Sequence, residues 1–154
     1  MTAGDHASQT ESDAETLARI VVEFRADSGT IHLLGSDGLL HLKAASAGMP
    51  EAVLAMIRTI PVGKGMAGLA VERREPVNAC NIQTDASGDV RPGARATSLA
   101  GAIVVPIFRG DDVVGALGVA NRGERTFSDA EIAGLLAAGR ELAARHAEAK
   151  APAA

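Results

Sequence analysis

Leu17, Ile20, Val21 and Phe24 fall at i, i+3, i+4 and i+7. One apolar stripe at helical spacing predicts a helix over "SDAETLARIVVEF", with Ser12 or Asp13 as its N-cap. The pattern then changes period. "GTIHLL" and "LLHLKAA" alternate apolar and polar residues around "GSDG", which reads as a β-hairpin. A turn centred between Ser36 and Asp37 sets His32 opposite His41 and Thr30 opposite Lys43. Ile31, Leu33, Leu40 and Leu42 then share the other face, which must be core.

"PEAVLAMIRT" predicts a short helix with Pro50 in its first turn. "IPVGKGMAGLAVERREP" reads as a glycine loop and a second short helix that stops before Pro76, and "VNACNI" as a strand. Residues 83–100, "QTDASGDVRPGARATSLA", form a polar stretch of a length uncommon inside a compact domain and often used as a lid. "GAIVVPIFR" and "VVGALGVANR", joined by "GDD", are nearly continuous apolar strands, so both faces of their sheet are covered. Pro106 lacks a ladder donor and calls for an edge position or a bulge, while Gly115 and Gly118 leave room for a close backbone or ligand. The last helix, "SDAEIAGLLAAGRELAARH", carries Ile132, Leu135, Leu136 and Leu142 along one stripe. The order predicts an α+β fold with a central antiparallel sheet of about five or six strands. The terminal helices cover one face, and the short helices plus the long loop cover the other.

Composition narrows the function classes. A chain of 154 residues that is 47% hydrophobic suits one domain, read here as residues 12–147 between disordered tails at 1–11 and 148–154. The longest apolar run, Ala102–Phe108, is far below the roughly 18 residues of a membrane helix. The polar, acidic start lacks the order of a signal peptide, and one cysteine rules out an internal disulfide framework. These features point to the cytoplasm and away from membranes. With net charge −4 and neither Trp nor Tyr, the chain also lacks the basic patch and stacking faces of a nucleic-acid binder.

Several motifs invite chemistry. Gly63, Gly65 and Gly68 match G-x-G-x-x-G, and Asp85 lies about 20 residues on, as a dinucleotide fingerprint would require. No buried strand leads into them, however, and Lys64 is followed by Gly65 rather than the Ser or Thr of a Walker loop. His32 and His41 could offer two imidazoles from adjacent strands, but two ligands make half a metal site. No metal is expected. Cys80, in an apolar strand, reads as a small buried hydrophobe.

The series "PVGKGMAGLAVERREPVNACNI", "AIVVPIFRGDDVVGALGVANR" and "FSDAEIAGLL" resembles a GAF domain from about residue 15 to 145. The resemblance implies a GAF/PAS-like fold and a regulatory, non-catalytic sensor of a small molecule. It also implies a homodimer through the terminal helices, or contact with a signalling protein. It names neither the ligand nor a cofactor. One alternative is a GAF fold kept only for dimerisation, with its interior filled. Another is a free methionine sulfoxide reductase, which is disfavoured: those enzymes use several cysteines, and here the loop position is Ala67 and the lid has none. Cyclic-nucleotide binding is disfavoured because only Phe108 is left to stack, and bilin attachment because Cys80 has no adjacent His or Asp. The lid residues Asp85, Asp89, Arg91, Arg95, Thr97 and Ser98 remain as candidate contacts for a polar or anionic ligand.

"ANRGERTFSDAE" resembles the family's Asn-Lys…Phe…Asp-Glu motif, with Asn121, Arg122, Phe127 and Glu131 in its places. The resemblance implies an ion pair between Arg122 and Glu131 that ties a strand end to the last helix. Independently, Ser128 followed three residues later by Glu131 is a capping box, with Phe127 and Ile132 as its hydrophobic staple.

Overall fold

The computed structural model describes residues 11–90 and 97–150. Helix α1 (Asp13–Glu23) opens at a capping box in which the Ser12 hydroxyl accepts from Glu15 N–H and the Glu15 carboxylate accepts from Ser12 N–H. Strands β1 (Ser28–Leu34) and β2 (Leu39–Ala45) follow, then α2 (Glu51–Ile57), β3 (Thr59–Pro61), α3 (Gly65–Arg73) and β4 (Val77–Ala79). After the long loop come β5 (Gly101–Arg109), β6 (Asp112–Asn121) and α4 (Asp129–Lys150). The six strands form one antiparallel sheet in the order β3-β2-β1-β6-β5-β4. This is the α+β architecture expected. Strand β3 was not foreseen, because three residues carry no readable alternation; its pairing with β2 is a tertiary event.

The two faces of the sheet are unlike. Ile31, Leu117 and Val105 lie side by side through the register of β1, β6 and β5, and each is at most 1% exposed. With Ile103, Ile107 and Val119 they form the main core against Leu17 and Ile20 of α1 and Leu135 and Leu142 of α4. The alternate positions of β5 and β6 carry Ala102, Val104, Ala116, Gly118 and Ala120, and they look toward α2 and α3. Large side chains on one face pack against the terminal helices, and small ones on the other leave space beneath the short helices.

The first hairpin departs from the expected register by one residue. His32 pairs with Leu42 and Leu33 with His41, and a bulge follows between Ile31 and His32. The cause is the turn. Gly35 N–H donates to Leu39 O, so the loop has three residues, and Gly38 takes the left-handed conformation (φ 80°) that such a loop needs at its end. Because side chains alternate along a strand, this shift puts the two histidines on opposite faces. Leu40 joins the cluster with Ile60, Val71 and Ala116, away from the main core. Pro106 lies beyond the last pair of β4, Val77 with Val104, where its missing donor leaves no acceptor unpaired on that side.

Helix α4 runs to Lys150, so residues 148–150 are helical rather than part of a tail. Glu11 is also engaged, accepting from Thr16 and Arg19; residues 1–10 and 151–154 lie outside the described residues. Asp13 at the start of α1 meets His146 at 2.9 Å and Arg145 at 3.7 Å, tying the first helix to the last. Among the described residues, no helix is long and apolar enough to cross a membrane.

Candidate functional site

Between the small-residue face of the sheet and helices α2 and α3 lies a cavity of about 300 Å³. Its floor is Thr30, Gly118 and Val104, paired across three strands. A Cβ at Gly118 would come within 3.2 Å of Val104 Cγ2 and 3.4 Å of Thr30 Oγ1, so any side chain there would intrude on the floor. The walls are largely apolar and include Met49, Met56 and Met66, whose unbranched thioethers adapt to irregular shapes. Lys64, at the N-cap of α3, is the charged lining residue among the described residues.

The glycine loop has a packing explanation. Gly63 and Gly65 sit at φ 91° and 65°, and a Cβ on Gly68 would lie 2.4 Å from the carbonyl oxygen of Pro61. The three glycines therefore let α3 close against β3 and the chain turn between them.

The lid contributes differently from expectation. Val90, Thr97 and Leu99 line the cavity. Asp89 does not; it forms a forked ion pair with Arg73 of α3, at 2.9 and 3.1 Å. Asp85 accepts from the backbone N–H and hydroxyl of Ser87 within the loop, and Ser98 is exposed outside the wall. Arg91 and Arg95 lie outside the described residues. Of the polar lid residues singled out from sequence, the structure thus brings Thr97 to the cavity. The wall is mostly apolar residues that sequence reasoning assigned to helices and strands.

His32 is a polar residue of the cavity lining, and sequence reasoning placed it elsewhere. It is 2% exposed, lines the cavity, and its Nε2 donates to the carbonyl oxygen of Ile57 at 2.8 Å. Burial lowers its pKa below the ordinary 6.5, outweighing the upward pull of the Ile57 carbonyl. His41, on the opposite face, is held instead by Asp37 of the hairpin turn at 2.9 Å. The two rings do not converge on one point.

A pH dependence follows. Below about pH 6.5 the unfolded chain protonates this histidine while the folded one does not, so folding stability falls with pH until the depressed folded pKa is reached. The slope reaches at most about 1.4 kcal/mol per pH unit for one proton. The carboxylates whose pKa values are lowered, such as Glu131 by its bond from Ser128 N–H, act in a separate and more acid window. Thermal unfolding between about pH 5.5 and 7.5 should show this slope. His32→Phe should flatten it; an equal slope in the variant would assign the effect elsewhere.

Cys80 is exposed just past the end of β4, not buried as its apolar neighbours suggested, because the strand stops at Ala79. It is not in the cavity wall, whereas Ala67 is. Phe108 is not part of the cavity wall; its ring is met by the guanidiniums of Arg74 and Arg140, at 5.7 and 5.2 Å from its centre.

The charged stretch before α4 is a clamp, with a different arginine from the one expected. Arg125, not Arg122, pairs with Glu131 at 2.6 Å. It also donates to Asn121 Oδ1 at 2.8 Å and Arg25 O at 3.1 Å, and lies 4.2 Å from the centre of the Phe127 ring. Arg122 is exposed, and its backbone N–H donates to Asp27. Ser128 and Glu131 form the capping box reciprocally, at 2.8 and 3.1 Å.

The sequence profile of the GAF domain family matches residues 10–144. The chain belongs to the GAF family. Solved structures agree on the fold. The GAF domain from an Acinetobacter phosphoenolpyruvate-protein phosphotransferase superposes with a TM-score of 0.75 at 22% identity, covering 93% of this chain and 83% of that one. A domain of a putative two-component sensor histidine kinase from Sinorhizobium meliloti gives 0.69 at 19% identity, with 89% and 90% covered. A type II free methionine-R-sulfoxide reductase from Thermoplasma acidophilum gives 0.70 at 20% identity, with 88% of each chain covered. No curated protein matches the chain. At these identities the likeness carries the GAF fold, which regulatory domains and reductases share.

Proposed function

We propose that this GAF domain is a non-catalytic regulatory sensor of a small, largely apolar molecule, acting in the cytoplasm. The observation that supports this reading is the cavity of about 300 Å³ left between the sheet and α2 and α3, at the low end of ligand-pocket sizes. A GAF fold kept only for dimerisation would have this space filled by side chains. The ligand class moves from the polar or anionic one expected from sequence to an apolar one, because Asp85, Asp89 and Ser98 stand outside the wall and methionines stand in it.

The output is proposed to pass through the terminal helices to a second copy of the chain or to a signalling protein. Val22, 77% exposed on α1, favours such a contact. The reductase reading is disfavoured because the one thiol lies outside the cavity and has no second thiol in the chain to resolve a sulfenic acid. Turnover of free methionine sulfoxide with a thiol reductant, lost in Cys80→Ser, would overturn the non-catalytic assignment.

A thermal-shift screen of small apolar metabolites tests the sensor reading. A true ligand at about 100 times its Kd should raise the Tm by roughly 5–10 °C. Ala67→Phe, which fills the cavity from α3, should abolish the shift. A screen without stabilising compounds, or equal shifts in the variant, would sink it.

A further inference from the structure

The cavity lining is uneven in charge. Among the described residues it holds Lys64 and no Asp or Glu. Its other polar side chains are Ser28, Thr30, Thr97 and His32. His32 offers a ligand nothing, since Nε2 is engaged by Ile57 O and Nδ1 is buried away from any surface. The three hydroxyls are neutral, so the charge of the wall is that of Lys64.

The backbone builds this position. Lys64 lies extended (φ −117°, ψ 129°) between Gly63 and Gly65, both at positive φ. Its N–H donates to Pro61 O and its carbonyl accepts from Gly68 N–H, so the peptide groups on both sides are pinned. The side chain therefore starts from a fixed point, beside Gly65, Met66 and Ala67 of the same wall. Being both exposed and in the lining, Lys64 stands at the mouth. Its ammonium makes no ion pair among the described residues. Glu72 comes near, with Oε2 2.9 Å from where a Cβ on Gly63 would stand, but it is outside the lining. A flexible four-carbon stem lets the ammonium reach a group held at the mouth without moving the backbone.

From this arrangement we infer that the cavity takes an apolar molecule bearing a single carboxylate, with Lys64 as the residue that selects the charge. The inference rests on reading the cavity as a ligand site, and it adds one anionic group to the apolar ligand. A lone cation beside low-dielectric walls draws anions and repels cations. A neutral molecule gains less from it. A dianion would leave one charge unpaired against an apolar wall, which is unfavourable. The methionines and the small residues of the floor receive the body of the ligand.

Phenylpropionate, its primary amide and phenylpropylamine share one body and are anionic, neutral and cationic. Titration calorimetry on the full chain should rank them in that order. The acid should bind about fivefold or more tighter than the amide, because an ion pair partly in water is worth less than a buried one. Added salt should shrink the preference by screening the pair. Lys64→Met keeps an apolar stem; it should erase the preference and leave amide affinity within about threefold. Lys64→Arg keeps the charge and should retain the preference. Ala67→Phe should abolish binding of acid and amide alike, and acid binding that survives there would place the anion outside the cavity and overturn the inference. Equal affinities for acid and amide, or a preference that persists in Lys64→Met, would overturn it while leaving an apolar ligand cavity standing. Absence of binding by all three probes would overturn the two together.

Discussion

Leu117→Ala is expected to destabilise the domain by about 2–5 kcal/mol, the range for deleting a large aliphatic side chain from a packed core. Leu117 is 1% exposed at the middle of β6, between Ile31 of β1 and Val105 of β5. It belongs to the cluster that receives both terminal helices. Its neighbours are held in strands paired on both sides, so they cannot collapse into the space, and the cavity term adds to the lost transfer energy. Domains of this kind have a total stability of about 5–15 kcal/mol, so the loss would be a large fraction of the whole. Urea unfolding should show a lower midpoint with an unchanged slope. Val22→Ala, at an exposed site of α1, should stay within about 0.5 kcal/mol. A Leu117→Ala loss below about 1 kcal/mol would mean that the helix-facing side of the sheet is not the main core.

Arg125→Ala should be the second most costly of these changes, at about 1.5–3 kcal/mol, the worth of hydrogen bonds to charged groups. Its guanidinium joins four elements: Asn121 at the end of β6, the carbonyl of Arg25 after α1, the Phe127 ring, and Glu131 in the first turn of α4. Its side chain is 17% exposed, so the lost bonds are only partly replaced by water. Arg125→Lys should not restore stability, since one ammonium cannot reproduce a planar fork that reaches several acceptors. Arg122→Ala should fall within about 0.5 kcal/mol, because that side chain stands in solvent. Chemical denaturation of the three variants distinguishes the two arginines, and a larger loss at Arg122 would refute the clamp as described.

The misassignment between Arg122 and Arg125 shows where local reading stops. Ser128, Glu131 and Phe127 were legible because a capping box is a contact between residues three apart, fixed by helix geometry alone. Which arginine reaches Glu131 depends on how the segment from Arg122 to Thr126 lies across the sheet. That path is set by distant partners: Gly101 N–H donates to Gly123 O, and Arg125 N–H donates to Cys80 O. The hairpin register was lost for a related reason. Whether the loop has two residues or three depends on whether Gly38 adopts positive φ, and composition permits both. That single step moved His32 away from His41 and onto the wall of the cavity.

By itself, the sequence determined what periodicity and capping can carry: the helices, the hairpins, the antiparallel α+β class and the family. It also held a trace of the cavity. Ala116, Gly118 and Ala120 alternate with Leu117 and Val119 along β6, and this asymmetry leaves space on one face only. Only the tertiary structure decided what borders that space. Methionines from three segments, His32 and the lid residues Val90 and Leu99 are far apart along the chain, and they share a wall because the sheet and α2 and α3 bring them there. The acidic lid residues expected to bind a ligand are instead engaged with Arg73 and Ser87, because an exposed carboxylate beside a donor satisfies it locally before any ligand arrives.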